Sequence, residues 1–308
     1  MSNEFPIIEV PEDAIQESED MGTKPKFWFH HPELGQCLYK QARSNTGEDW
    51  SEKIAAELSQ LIELPHADYE LATWNQTVGT ISPSFVPPNH NLILGNDLLV
   101  QRDLNYPKYE VYNVSQHTLE LVLEVISQSS VKPPLSLSLS PRIQTAVETF
   151  LGYLLLDTWI GNTDRHHENW GFIQSPILPD SLQFTIHLAP TFDHASSLGR
   201  ELQDSNRRKK LENNSINNYI TKCRSGFYHQ AGDKKAMSTL EAFKIVAQRY
   251  PRAASVWLEK LSLISSDETN QLFNQIPKSR ISDLAVEFAN NVLNLNKQRL
   301  LKVRELVN

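Results

Sequence analysis

The sequence predicts an α+β protein of two lobes: a strand-rich first half that holds one helix, and a mainly helical second half. Three observations carry this reading. Short extended stretches broken by turns fill roughly the first hundred residues. From His117 onward apolar residues recur at helical spacing. Residues 129–142, SSVKPPLSLSLSPR, are rich in Ser and Pro and read as a connecting loop. A strand-rich half followed by a helical half suggests two lobes about a cleft, with the boundary between residues 1–116 and 117–308.

The elements follow in order. FWFHHPELGQCLYKQA reads as two strands joined at residues 31–35, and YELATW, GTISPSFV and NLILGNDLLV as further strands. Between them WSEKIAAELSQLIEL places Ile54, Leu58, Leu61 and Ile62 on a helical stripe. In the second half HTLELVLEVISQ and RIQTAVETFLGYLLLDTWI read as helices. The latter sets Ile143, Val147, Phe150, Leu151, Leu154 and Leu155 on one face, and Gly161-Asn162 ends it. WGFIQ and LQFTIHLA then form a β-hairpin about SPILPDS, and amphipathic segments run to the end.

Composition excludes several classes. At 308 residues the chain is long enough to bury a substantial core. Its net charge of −8 argues against nucleic acid held by bulk charge, and the run Arg207–Lys210 reads as a solvated helix face. Cys37 and Cys223 are too few for a disulfide framework or a thiolate zinc site, which fits a reducing compartment. The N-terminus is acidic and interrupted by prolines, unlike a secretory signal, and no apolar run approaches the ~20 residues of a membrane span. A cytoplasmic location is expected.

The polar run GNTDRHHENW follows an apolar helix and precedes the hairpin. A hairpin returns the chain to its starting end, so Asn169 before the first strand and Asp193 after the second meet there, and Asp164 arrives from the helix. Two carboxylates and an amide oxygen are a hard-cation set with a spare base. Mg²⁺ takes a few such oxygens and completes its shell with phosphate and water, which suits Asn169 and Asp193. Asp164 is then free to orient or accept the proton of an attacking hydroxyl.

The Asp164–Asn169 spacing equals that of the kinase catalytic loop, and Asp193 in PTFDHASSLG falls where kinases keep a metal-binding Asp after a short hairpin. Together IGNTDRHHENWGF and LAPTFDHASSLGREL resemble the HipA-like serine/threonine kinases, many of which are toxins of toxin–antitoxin pairs. The resemblance covers most of the chain, and without an extra N-terminal subdomain it is similar to the short HipT-type members. It implies a two-lobed protein-kinase-like fold that uses ATP and Mg²⁺, with Asp164 as the catalytic base or orienting group and Asn169 and Asp193 as metal ligands.

It also implies that Lys40, at a strand end, steadies the ATP phosphates and is partnered by a Glu on the following helix. Helical geometry does not choose between Glu52 and Glu57, and matching to the family favours Glu52. Gly22, Thr23 and Lys24, with Lys26, stand where a phosphate-covering loop is expected, although G-x-G-x-x-G is absent. The hinge that holds adenine is expected near residues 95–101. NTDRH stands where most protein kinases have HRD and FDHAS where they have DFG, departures that are normal for the HipA-like branch.

If the family's biology carries over, the target is a translation component such as an aminoacyl-tRNA synthetase, and an antitoxin protein is a partner. Two readings compete. One is a kinase-shaped binding module without catalysis, and the other is a lipid kinase, since D-R-H-x-x-N recurs in phosphoinositide kinases. The pairs His30-His31 and His166-His167 do not make a zinc site, because adjacent residues do not face one ion and no H-E-x-x-H occurs. His166 is expected to prop the loop by hydrogen bonding. Ser196 and Ser197 lack a G-x-S-x-G elbow and belong to the segment after Asp193.

Overall fold

Two β-sheets that share a cleft organise the chain, and a helical layer supports the second. The computed structural model describes residues 4–14, 17–18, 25–135, 140–177 and 183–307. In the first sheet β1 (Ile7–Glu9) runs parallel to β5 (Glu70–Trp74), followed by β6 (Thr77–Pro83), β4 (Gly35–Gln41), β3 (Lys26–His31) and the short β2 (Glu17–Ser18). β3 and β4 are the expected hairpin, in the register Phe27↔Tyr39 and Trp28↔Leu38.

Period-two alternation sorts their side chains onto two faces. Phe27, Phe29, Cys37 and Tyr39 bury themselves with Ala72 and Ile81 in a small cluster of their own. Trp28, Leu38 and Lys40 therefore belong to the opposite face, which borders the cleft. The helix α1 (Glu48–Leu61) joins β4 to β5, and its Trp50, Ile54 and Leu58 enter the main core.

Residues 84–90 carry the chain into the second sheet, ordered β7 (Asn91–Leu94), β9 (Gly171–Pro176), β10 (Phe184–Leu188) and β8 (Val131–Lys132). Here the sequence reading needs correction. NLILGNDLLV is not one strand: pairing stops at Leu94, and α2 (Gly95–Val100) follows, so 95–101 is not an extended hinge. The cause is a close approach. A Cβ on Gly95 would lie 2.4 Å from Trp170 and 2.5 Å from the His167 carbonyl, and the Gly95 and Asn96 amides bond back to Trp170 and His167. The connection 129–142 also contains β8, which pairs in parallel with β10.

The helical layer comprises α3 (Leu119–Ile126), α4 (Ala146–Ile160), α5 (Asp204–Glu212), α6 (Ile216–Ile220), α7 (Thr239–Arg249), α8 (Pro251–Leu263), α9 (Ser266–Asn274), α10 (Asp283–Leu301) and α11 (Arg304–Val307). At its centre is α4. Thr145 and Glu148 form a capping box at its start, and Gly161 at φ 66° ends it in the left-handed conformation. The sequence assigns it one apolar face, yet every residue except Glu148 is buried. Neighbours on several sides, including α7, α8 and α10, enclose it, and a helix apolar all round belongs in such a place. Each buried Leu there contributes about 1.5–3 kcal/mol over an exposed one, so packing fixes this helix. No helix of the described residues is long and apolar enough to cross a membrane.

Candidate active site

The loop after α4 is built from its own polar groups. Asn162 donates from Nδ2 to Asp157 Oδ1 at 2.8 Å, and its Oδ1 accepts the Asp164 amide at 3.1 Å. Asn169 Nδ2 donates to the Asp164 carbonyl at 2.6 Å, tying the two ends of the Asp-x-x-x-x-Asn string together. The Asn169 Oδ1 accepts no hydrogen bond among the described residues. His166 props the loop as expected, its Nδ1 accepting the Glu168 amide at 3.2 Å.

Beneath the loop Arg165 is wholly buried. Its Nε and Nη2 donate to the two oxygens of Asp157 at 2.8 and 2.7 Å, and its Nη1 to the Asn169 carbonyl at 2.7 Å. Burial opposes the guanidinium charge, but the Asp157 carboxylate outweighs it and raises the pKa further. Arg165 also donates to Thr191 Oγ1 at 2.9 Å, and that hydroxyl shares a hydrogen bond with His194 Nε2 at 2.7 Å. The His194 Nδ1 is buried without a hydrogen-bond partner and lies 3.6 Å from Glu52 Oε1. A buried chain of polar contacts thus runs from α4 through the loop to α1.

The hairpin delivers Asp193 to the same place. β9 and β10 pair antiparallel, and the Ala189 amide bonds to the Gly171 carbonyl, so the segment after β10 lies beside Asn169 at the foot of β9. Asp193 sits at φ 58°, its amide donating to the Tyr69 hydroxyl at 3.1 Å. Glu52 holds the next residues, accepting the His194 amide at 2.6 Å and the Ala195 amide at 3.1 Å. Ser196 lies against the loop: its carbonyl accepts the Thr163 amide, and its hydroxyl donates to Asp164 Oδ2 at 3.3 Å.

Lys40 reaches this cluster from the first sheet, and its Nζ meets Asp193 Oδ2 at 2.6 Å. Burial disfavours its ammonium form, but the carboxylates of Asp193, Glu52 and Glu48 more than compensate and its pKa is raised. The Glu52 oxygens go to amides and not into an ion pair with Lys40, while Glu57 pairs with Lys53 at 2.7 Å. Lys40, Asp164, Asn169 and Asp193 all line one cleft of about 420 Å³, whose apolar walls include Leu38, Phe85, Val86 and Leu92. Gly22, Thr23 and Lys24 lie outside the described residues.

The oxygen set fits Mg²⁺. No cluster of three or more His, Cys, Asp or Glu residues is placed to enclose a metal among the described residues, whereas an Asp and an Asn at a wide cleft leave the rest of an octahedral shell to phosphate and water. Sequence reasoning missed Asp157 and Arg165. A signal was present: Asp157 interrupts the apolar run LLLDTWI, and a carboxylate there needs a buried partner.

No protein-family model matches the chain, and no curated protein matches it. Solved structures do. The Helicobacter pylori proinflammatory kinase CtkA matches with a TM-score of 0.74 and 18% identity over 98% of both chains. HipA of Shewanella oneidensis, from the structure of a toxin–antitoxin system with HipB and operator DNA, matches with a TM-score of 0.50 and 11% identity, covering 96% of this chain and 67% of that one. These likenesses agree with the HipA-like resemblance of the loop motifs, and the chain has a two-lobed, kinase-like α+β fold.

Proposed function

We propose that this chain is an ATP- and Mg²⁺-dependent kinase that transfers the γ-phosphoryl group to a Ser or Thr hydroxyl of a protein. The observation that carries the reading is the convergence of Lys40, Asp164, Asn169 and Asp193 on one cleft. In the transfer the acceptor oxygen forms a bond to the γ-phosphorus, the bond from that phosphorus to the bridging oxygen breaks, and the acceptor proton goes to Asp164. Asn169 and Asp193 would hold the metal, which supplies charge neutralisation on the phosphates. Lys40 adds a second positive charge, and Glu52 fixes the backbone that presents Asp193.

Adenine is proposed to lie against Leu38, Phe85, Val86 and Leu92, and Gly22, Thr23 and Lys24 to cover the phosphates. HipB accompanies HipA in the related structure, which supports an antitoxin as a partner of this chain; a cytoplasmic translation component as its target is proposed from the HipA-like resemblance of the loop motifs alone. Incubation with γ-labelled ATP and Mg²⁺ tests the reading. Label should appear on protein Ser or Thr and vanish in Asp164→Ala. Label on lipid alone would replace the acceptor class, and no Asp164-dependent consumption of ATP would leave a non-catalytic binding module.

A further inference from the structure

Asp164 borders two cavities. Besides the cleft with Lys40, a second cavity of about 170 Å³ reaches it and shares Val111, Tyr112 and His166 with the first. A group seated in the second cavity therefore has Asp164 between itself and the proposed phosphate site. Among the described residues Asp164 is the only carboxylate in its wall, and Arg224 is the only permanently charged cation there.

Arg224 is exposed and forms no ion pair among the described residues. The same holds for Lys222, Lys234 and Lys235. The backbone pairs antiparallel here: the Ser225 amide bonds to the Met237 carbonyl at 3.0 Å and Arg224 bridges to Ser238, so 224–225 face 237–238 and Lys234 and Lys235 lie further along the returning segment. Opposing them are Asp164 in the wall, Glu110 next to Val111, Asp233, which accepts the Gln230 amide, and Glu241, which accepts the Ser238 amide. Four cations and four carboxylates thus stand in the wall and in the segments next to it, and Arg224 is the cation that lines the cavity.

The deeper wall is formed by buried polar groups. His117 is satisfied at both nitrogens, by the Trp170 indole N–H and the Gly226 carbonyl. His167 bonds Tyr106 through Nδ1, and its buried Nε2 has no hydrogen-bond partner. Arg224 is thus the group of this wall that can pair with a carboxylate entering from outside.

We propose that the second cavity is the acceptor subsite, and that it takes a polypeptide in which the reactive Ser or Thr has an Asp or Glu close by in sequence, held by Arg224. The contact joins an exposed guanidinium to a carboxylate, so binding weakens as salt rises. This inference rests on the kinase reading and supplies its substrate chemistry.

The test uses the full chain and three fluorescent Ser peptides that differ only in flanking Asp, Gln or Lys, followed both by binding and by transfer from ATP with Mg²⁺. The Asp peptide should bind and react at least about tenfold better than the Lys peptide, mainly through KM. Arg224→Glu should invert that order, whereas a folding defect would lower all three together. Lys302→Glu, the same charge change at an exposed lysine at the end of α10, should keep the order. Equal binding of the three peptides, a preference for Lys, or no inversion in Arg224→Glu overturns the proposal. So does retention on vesicles of phosphatidylserine and phosphoinositide in preference to the Asp peptide. If Asp164-dependent ATP turnover persists through such a result, the acceptor proposal falls alone; if ATP is not consumed, the kinase reading falls with it.

Discussion

Asp164 and Arg165 are neighbours in one loop and occupy opposite environments. The Asp164 side chain is 31% exposed and borders both cavities, while Arg165 is 0% exposed and gives its guanidinium to Asp157, Asn169 and Thr191. In the proposed mechanism one residue meets the reactants, and the next holds the loop that presents it. A rate and a fold can therefore be damaged separately at adjacent positions, and variants at the two sites should show different signatures.

The largest effect belongs to the exposed side. Asp164→Ala should lower phosphoryl transfer on the order of a thousandfold or more, about 4 kcal/mol of barrier, with little change in the melting temperature. ATP turnover and a thermal melt on the same sample check it. A melt that falls as steeply as the rate would erase the contrast between the two residues.

On the buried side Asp157→Ala should cost about 3–5 kcal/mol of stability, because it leaves a guanidinium buried without its counter-charge. Urea unfolding of the variant measures this, and activity should fail only along with the fold. A loss below about 1 kcal/mol would mean that water reaches Arg165 and that the pair is not a structural anchor.

The exposed side was the legible one. Asp164, Asn169 and Asp193 are residue types that metals and protons require, and a hairpin between the second and third makes their convergence follow from topology. The buried side was written in a weaker code, since one Asp in an apolar helix says that a partner exists but not which residue supplies it. Lys40 was legible as a cation at a strand end, but its contact with Asp193 depends on how the two sheets face each other, and sequence does not give that angle. Residues 95–101 misled because their apolar content suits strand or helix alike. What decided was the contact of Gly95 with Trp170 and His167, residues more than seventy positions away.

Acid should separate the two sides again, with a smaller effect. His117 and His167 titrate at about 3 and about 4 in the folded chain, against about 6.5 when unfolded. Unfolding thus takes up protons below pH ~6.5, so the stability held by neutral His is complete above that pH and drains as pH falls toward 4. For the pair this amounts to on the order of 3 kcal/mol by pH 5. His66, also lowered by burial, adds in the same direction. Urea midpoints between pH 7.5 and 5 give the slope, and His167→Gln should reduce the uptake by about one proton. An unchanged slope would show that His167 is solvated.

The smallest expected effect decides a choice that helical geometry leaves open. Glu52 and Glu57 flank the same stripe of α1, yet Glu52 accepts the amides of His194 and Ala195 while Glu57 pairs with Lys53. Glu52→Gln keeps the shape but replaces one amide acceptor with a donor, loosening the backbone beside Asp193. A tenfold to hundredfold fall in apparent Mg²⁺ affinity, on the order seen for groups that orient metal ligands, is expected. Glu57→Gln removes only a partly exposed charge from Lys53, which keeps Glu70 at 2.9 Å, so activity should stay within about twofold. Titration of activity against Mg²⁺ in both variants compares them directly. Equal losses would mean that the two carboxylates share the support of Asp193 through α1 as a whole, and that the amide contacts of Glu52 carry no special part of it.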